Sequence, residues 1–329
     1  MSLHKPFTIA AFGEVLWDLL PDRVIIGGAP FNFAYRINSL GNNAYIISSV
    51  GKDDYGEKAL EKIRELNMST KYIQQDSRYP TGTVEVFLDE HKKPDYNIIT
   101  GVAYDNIRLK DSIISLVSSA DCLCFGTLAR RNRESRETLQ ALLDSFKGRF
   151  RLYDINLRKN CYTQDAIHES LLQTDILKLN DEEAGEVNGL LQLNAANLQG
   201  IAKEILGRYP VQICIITLGS NGVLAISAEN EIVYEPGYRV LMQDPLGAGD
   251  AFSAGFISKI LAGSDLRGAC RFGNQLGAIV ATQSGATQTI TRNEMQVISS
   301  KTKYNIQPGL NELIRNQTIQ NNNQTKEKP

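Results

Sequence analysis

The sequence predicts an α/β fold in which a mainly parallel central sheet is covered by helices on both faces, with a small separate sheet or a pair of edge hairpins beside it. Three observations carry this. Short apolar runs alternate with amphipathic stretches through most of the 329 residues. Two segments, Val15–Ile26 and Thr81–Ile99, break that rhythm with strand-like pieces and no helix. The last third turns helical. Parallel strands need helical crossovers and are buried on both faces, so they read as short continuous apolar runs between helices.

Taken in order, Phe7–Gly13 reads as a buried strand, followed by the first irregular segment. Phe31–Leu40 reads as a helix that starts after Pro30 and stops at Gly41, because proline suits a first helical turn and glycine suits the end. Ala44–Val50 is a strand and Asp54–Leu66 a helix. In the second irregular segment, Thr83–Phe87 alternates polar and apolar residues, as a half-buried strand does. The two segments suit a lid over a cleft, or equally a pair of edge hairpins on the main sheet. Strand Cys122–Phe125, helix Arg133–Phe146, strands Phe150–Tyr153 and Ile176–Leu179, helix Ala195–Leu206 and strand Gln212–Thr217 resume the alternation. Helices Ala248–Ala262, Leu266–Thr282 and Arg292–Ser299 complete it. The expected organisation is one domain over residues 1–315, with lid strands drawn from about 15–27 and 81–103, and a disordered polar tail at 316–329.

Composition removes several function classes. Thirty-five basic residues face 37 acidic ones, a net charge of -2, so there is no bulk attraction to nucleic acid or anionic lipid. No apolar run approaches the ~20 residues that span a bilayer, and no signal peptide is visible, which reads as cytoplasmic. Five cysteines without paired spacing read as buried thiols, and three scattered histidines do not suggest a zinc site.

The most informative segment is Asp244-Pro245-Leu246-Gly247-Ala248-Gly249-Asp250. Glycines at a helix start let backbone N–H groups approach an anion, and the helix N-terminus favours negative charge. A carboxylate in that same turn works against simple phosphate binding. It makes sense if Asp250 takes the proton of an attacking hydroxyl while the amides hold a phosphoryl group. Taken alone, the motif is equally compatible with Asp244 or Asp250 capping the helix. Gly27-Gly28-Ala29-Pro30-Phe31-Asn32 opens the first long helix, where Asn32 offers a donor and an acceptor suited to hydroxyls. Gly13–Asp18 places acids at the end of the first strand, where ligands of open α/β sheets gather. Gly51–Lys58 has P-loop glycine spacing but Glu57-Lys58 where Lys-Ser/Thr is required, and no Gly-x-Gly-x-x-Gly follows the first strand.

With Gly27–Asn32, Leu40-Gly41, Val50–Asp53 with Gly56, Asn180–Glu183, Thr217–Gly222 and Asp244–Asp250 in this order, the chain resembles the ribokinase-like (PfkB) carbohydrate kinases, most of all bacterial fructokinases. The resemblance runs from about Phe7 to Thr291. It implies a ribokinase-like three-layer α/β/α fold with a lid, and an ATP-dependent sugar kinase. Asp250 would be the base and Gly247, Ala248 and Gly249 the anion hole. Asp18, Gly28 and Asn32 would bind the sugar. Arg158, in Asp154-Ile155-Asn156-Leu157-Arg158, matches a fructokinase and ketodeoxygluconate kinase motif. Asn180 and Glu183 would serve the ATP phosphates and Mg2+; Thr217, Gly219, Gly222 and Asn274 would serve the nucleotide. Asp244, Leu246, Val280, Gln283, Gly285 and Thr289 map to a monovalent cation site, K+ in many members. Members often dimerise through the lid.

The expected reaction is phosphorylation of the 6-hydroxyl of fructose. Ketodeoxygluconate, ribose and nucleosides stand as alternatives within the family, and a non-catalytic sugar- or nucleotide-binding regulator as an alternative outside it. One departure stands out: Pro245 replaces the usual threonine, losing a hydroxyl and an N–H and stiffening the loop.

Overall fold

The computed structural model describes residues 5–88 and 94–301, and the side chains of 86–96 are left aside. The polar tail expected at 316–329 lies outside the described residues. In chain order the elements are β1 Thr8–Phe12, β2 Leu16–Leu19, β3 Val24–Gly27, α1 Ala29–Ser39, β4 Asn43–Gly51, α2 Asp54–Glu65, β5 Ile73–Asp76, β6 Gly82–Leu88 and β7 Pro94–Ile98. There follow α3 Asp111–Ser119, β8 Cys122–Phe125, α4 Arg133–Ser145, β9 Phe150–Asp154, α5 Gln164–Leu171, β10 Ile176–Asn180, α6 Asp181–Leu190 and α7 Leu198–Arg208. The chain continues through β11 Ile213–Thr217, β12 Val223–Ser227, β13 Ile232–Glu235, α8 Ala248–Leu261, α9 Leu266–Val280 and α10 Arg292–Ser300.

Nine strands form the central sheet in the order β13-β12-β11-β10-β9-β8-β1-β4-β5. The pairs from β11 to β5 are parallel, and β12 and β13 extend the sheet antiparallel. Period-2 alternation of the strands builds two cores at once. On β1, Ala10 and Phe12 join one core while Ile9 and Ala11 join the other. On β8, Leu123 and Phe125 face the first and Cys122 and Cys124 the second. Apolar residues of α3, α4, α5, α6 and α7 close the first core; those of α1, α2, α8 and α9 close the second. This is the three-layer architecture expected. All five cysteines are free and buried.

Several boundaries follow local chemistry. α1 begins at Ala29 rather than Phe31, because Pro30 fits within its first turn. α7 starts at Leu198, three residues later than the periodicity suggests, because the Asn197 side chain caps it by accepting from Gly200 N at 2.8 Å. The sequence reading did not include β5, α3, α5, α6 or the hairpin β12–β13, which are short or weakly patterned.

The two irregular segments form a separate four-stranded sheet in the order β3-β2-β6-β7, so the lid rather than the edge-hairpin arrangement is present. After β7 ends at Ile98, a short 3-10 turn at Ala103–Asn106 returns the chain to the main body. Arg131 fastens this return: it pairs with Asp105 at 2.7 Å and donates to the Ile99 carbonyl at 2.7 Å. At the other end, Asp53 caps α2 through Gly56 N and also accepts from Thr81 N and Thr81 Oγ1, fixing the start of β6 against the main sheet.

Candidate active site

β1 is the point at which the parallel strands diverge, to β4 on one side and β8 on the other. Open α/β sheets leave a crevice at the carboxyl ends of such strands. Here Glu14 follows β1, Gly126 and Thr127 follow β8, Asp154 ends β9, and Asn156 and Arg158 follow it; all of them line one cleft.

The loop before α8 carries the glycine turn singled out in the sequence. Gly247 is the N-cap of α8, with φ 77 and no side-chain cap. A Cβ at this position would lie 2.2 Å from Ala286 Cβ, so only glycine fits. Ala248, Gly249 and Asp250 form the first turn, where the helix dipole and the N–H groups other than that of Ala248 favour an anion. Asp250 therefore does not cap the helix. Asp244 does not cap it either; its carboxylate accepts from Leu246 N at 3.0 Å and Gly285 N at 3.2 Å. Pro245 has no N–H to donate, and its carbonyl accepts from Ala248 N at 3.2 Å.

Asp250 accepts from Asn32 Nδ2 at 2.9 Å, which joins the first turns of α1 and α8. Burial, with the Asp154 carboxylate adding to it, pushes the Asp250 carboxyl up to about 7, against the opposing pull of Asn32, Lys178 and Arg158. A carboxylate poised there suits a general base near neutral pH. Asn32 Oδ1 is buried with no protein partner, which leaves an acceptor for a ligand hydroxyl. Gly28, at φ 112, lets the backbone pass Glu14, since a Cβ would sit 2.3 Å from the Glu14 carbonyl oxygen. Burial pushes Asp18 up to about 6, countered by Arg158. Arg158 itself is exposed at the cleft rim, and its charge reaches Glu14, Asp18 and Asp250.

The Asn180–Glu183 pair forms a capping box at the start of α6: Asn180 Oδ1 accepts from Glu183 N at 2.7 Å, and Glu183 Oε2 accepts from Asn180 N at 2.8 Å. The other carboxylate oxygen of Glu183 accepts from Leu157 N at 2.9 Å, which holds the segment carrying Arg158. Both Glu183 oxygens are thus committed to N–H groups, and no cluster of three metal-ligating side chains exists among the described residues. A magnesium ion here fits as one carried by nucleotide phosphates, with Glu183 acting through water. Gly222 and Asn274 converge on the end of β13: Gly222 at φ 99 packs on the backbone of Glu235 and Gly237, and Asn274 Nδ2 donates to the Glu235 carbonyl at 3.0 Å. Thr217 ends β11 and Gly219, at φ 54, begins the turn between them.

Of the six residues that the resemblance maps to a monovalent cation, Asp244 and Leu246 lie on the loop before α8, Val280 ends α9, and Gln283, Gly285 and Thr289 follow it. Gln283 N donates to the Val280 carbonyl at 2.9 Å, and Gln283 Nε2 donates to the Thr289 carbonyl at 3.3 Å. Gln283 Oε1 is buried and unpartnered, an orphaned acceptor that fits a cation. Arg23, from the turn between β2 and β3, donates to Asp244 at 3.2 Å and to Ser284 Oγ at 2.9 Å, joining the lid to these loops.

Sequence reasoning missed Lys178, which pairs with Asp154 at 2.9 Å, and Ser253, which donates to the same carboxylate at 2.8 Å. It noted Glu14 only as part of a strand end; burial pushes its carboxyl up to about 7. An acidic residue in an otherwise apolar strand end, and a lysine inside the buried run Ile176–Leu179, were the available signals.

The parallel sheet, the separate four-stranded sheet and the glycine-lined helix start carrying Asp250 agree with the comparisons with known proteins. The model of the pfkB family of carbohydrate kinases matches residues 22–293, and the chain belongs to that family; it is a sugar kinase. An uncharacterized sugar kinase of Pyrococcus horikoshii is 32% identical over 307 residues, covering 87% of this chain and 94% of its own. Its crystal structure superposes with a TM-score of 0.76 over 88% of this chain and 99% of that one. A fructokinase of Klebsiella pneumoniae is 27% identical over 266 residues, 77% of this chain and 84% of its own. The structure of a fructokinase with bound ATP from Xylella fastidiosa shares the fold, with a TM-score of 0.78 at 21% identity over 88% of this chain and 97% of that one.

Proposed function

We propose that this sugar kinase transfers the γ-phosphoryl group of ATP to the 6-hydroxyl of fructose. The observation that carries the reading is the half-buried Asp250 in the first turn of α8, bonded to Asn32 and adjacent to the Gly247–Gly249 amides. In this reading Asn32, Gly28 and Asp18 orient the sugar. Asp250 accepts the hydroxyl proton as the oxygen attacks phosphorus in line, and the α8 amides hold the transferred oxygens. Thr217, Gly219, Gly222 and Asn274 border the nucleotide. Magnesium, when bound with ATP, neutralises charge on the phosphates. Potassium beside Asp244, Leu246, Val280, Gln283, Gly285 and Thr289 would steady the anion-hole loop. The lid excludes water and limits ATP hydrolysis. The reading includes a cytoplasmic enzyme that dimerises through its lid, which light scattering tests.

The test is ADP release against fructose, ketodeoxygluconate, ribose and a nucleoside, with and without magnesium and potassium. Turnover of fructose that vanishes in Asp250→Asn supports the assignment; turnover of another sugar with fructose ignored overturns the substrate, and binding without ADP release overturns catalysis. One observation favours a second substrate. The exposed guanidinium of Arg158 stands over acidic groups at the cleft rim and would pair with a carboxylate such as that of ketodeoxygluconate. Arg158→Ala would then lose the acidic sugar and keep the neutral one.

A further inference from the structure

Beneath the anion hole lies a buried polar group for which the proposed reaction has so far had no use. Lys178, on β10, is 7% exposed and pairs with Asp154, at the end of β9, at 2.9 Å. The second oxygen of Asp154 accepts from Ser253 Oγ at 2.8 Å, and Ser253 lies one turn along α8 from Asp250. Gly249 meets the same lysine from above: a Cβ on Gly249 would lie 3.1 Å from Lys178 Nζ. The trio therefore spans two strands and the first two turns of the catalytic helix. A buried ion pair generally adds little net stability, because desolvation offsets attraction. Its position directly under the anion hole needs another explanation.

We propose that Lys178, held by Asp154 and Ser253, is a positioning residue whose ammonium keeps the neighbouring Asp250 an unprotonated carboxylate, ready to act as base. The inference rests on the proposed role of Asp250. As the sugar oxygen bonds to phosphorus and the bond to the leaving phosphate oxygen breaks, the hydroxyl proton passes to Asp250, which must be free to accept it. The groups facing Asp250 are Asn32 from α1, Glu14 after β1, Cys124 from β8, Asp154 and Arg158 from the end of β9, and Lys178 from β10. Burial and the acids Asp154 and Glu14 oppose ionisation; Lys178 and Arg158 favour it. Arg158 is exposed and screened by water, so the buried ammonium is the cation whose field is least diluted.

The opposite signs of Lys178 and Asp154 give a test that a purely structural role would not pass. The acid limb of the kcat/KM profile is measured for the wild type, Lys178→Met, Asp154→Asn and the double variant, with folding checked by thermal melting. Loss of the ammonium should move the limb to higher pH by about one unit, roughly a tenfold loss of rate on that limb, and loss of the carboxylate should move it to lower pH. The double variant removes both charges, leaves no unpaired buried ion, and should return the limb toward wild type. If Lys178→Met does not fold, the acid-ward shift in Asp154→Asn and its reversal in the double variant carry the proposal. Limbs that coincide, or that shift the same way in both single variants, overturn it. Asp250→Asn separates the two readings: retained turnover there sinks the assignment of the base, whereas lost turnover with immobile limbs sinks only the role of Lys178.

Discussion

Gly247→Ala tests how the anion hole is held, and its size can be worked from two separate costs. The residue sits at φ 77, where an L side chain costs about 1–2 kcal/mol. The added methyl would also lie 2.2 Å from Ala286 Cβ. Ala286 cannot easily recede, because the buried guanidinium of Arg36 donates to its carbonyl at 3.1 Å and to that of Gln288 at 3.0 Å. Overpacking of that kind adds about 1–3 kcal/mol. Gly263 provides the control: it follows α8 at the far end, has φ 83, and has nothing within 4 Å of a built Cβ. Gly263→Ala should therefore suffer only the backbone cost and keep its kcat. At roughly 2–4 °C per kcal/mol for a domain of this size, Gly247→Ala should melt roughly 4–20 °C lower and Gly263→Ala roughly 2–8 °C lower. Displacing the loop should also reduce kcat on the order of 10²-fold, since catalytic geometry tolerates little misplacement. Scanning calorimetry and steady-state kinetics read both quantities. Equal melting losses in the two variants, or a wild-type kcat in Gly247→Ala, would show that contact with Ala286 does not position the loop.

Asp250→Asn should lower kcat by about 10²–10⁴-fold, the range for loss of a general base. It should also stabilise the fold increasingly from pH 5 to pH 8. The folded-state carboxyl is raised to about 7 from an ordinary 3.8, so the stability linked to its proton is present at low pH and lost as pH rises through 7; urea titrations at both pH values check this. The wild-type kcat/KM should rise with pH through about 7, and a flat profile from pH 5 to 9 would exclude Asp250 as the titrating base. Asp53→Ala removes the cap of α2 and the tie to Thr81 together and should cost about 1–2 kcal/mol by chemical denaturation. Because its carboxyl is held below the usual range by hydrogen bonds from Thr81 and Gly56 despite partial burial, that loss should shrink as pH falls below 4.

The amino-acid sequence by itself determined the layered α/β architecture, since strands buried on both faces and helices with one apolar face leave periodic signals. It also marked the glycine turn before Asp250, because glycines followed by an acid at a helix start are a local arrangement, and it marked the segments of the small sheet by the absence of a helix between strands. Tertiary structure alone decided what those residues meet. Asp154 lies 24 residues from Lys178 and 99 from Ser253, and no periodicity connects them. The charge state of Asp250 depends on burial and on groups delivered by α1, β9, the segment after β9 and β10, so it is a property of the assembled site. Glu183, which the resemblance linked to magnesium through water or phosphate, has its oxygens engaged by the N–H groups of Asn180 and Leu157, and the second of these partners lies 26 residues away. The antiparallel hairpin β12–β13 was not legible because its strands are as apolar as their parallel neighbours, and strand direction is set by which edge of the sheet the chain can still reach.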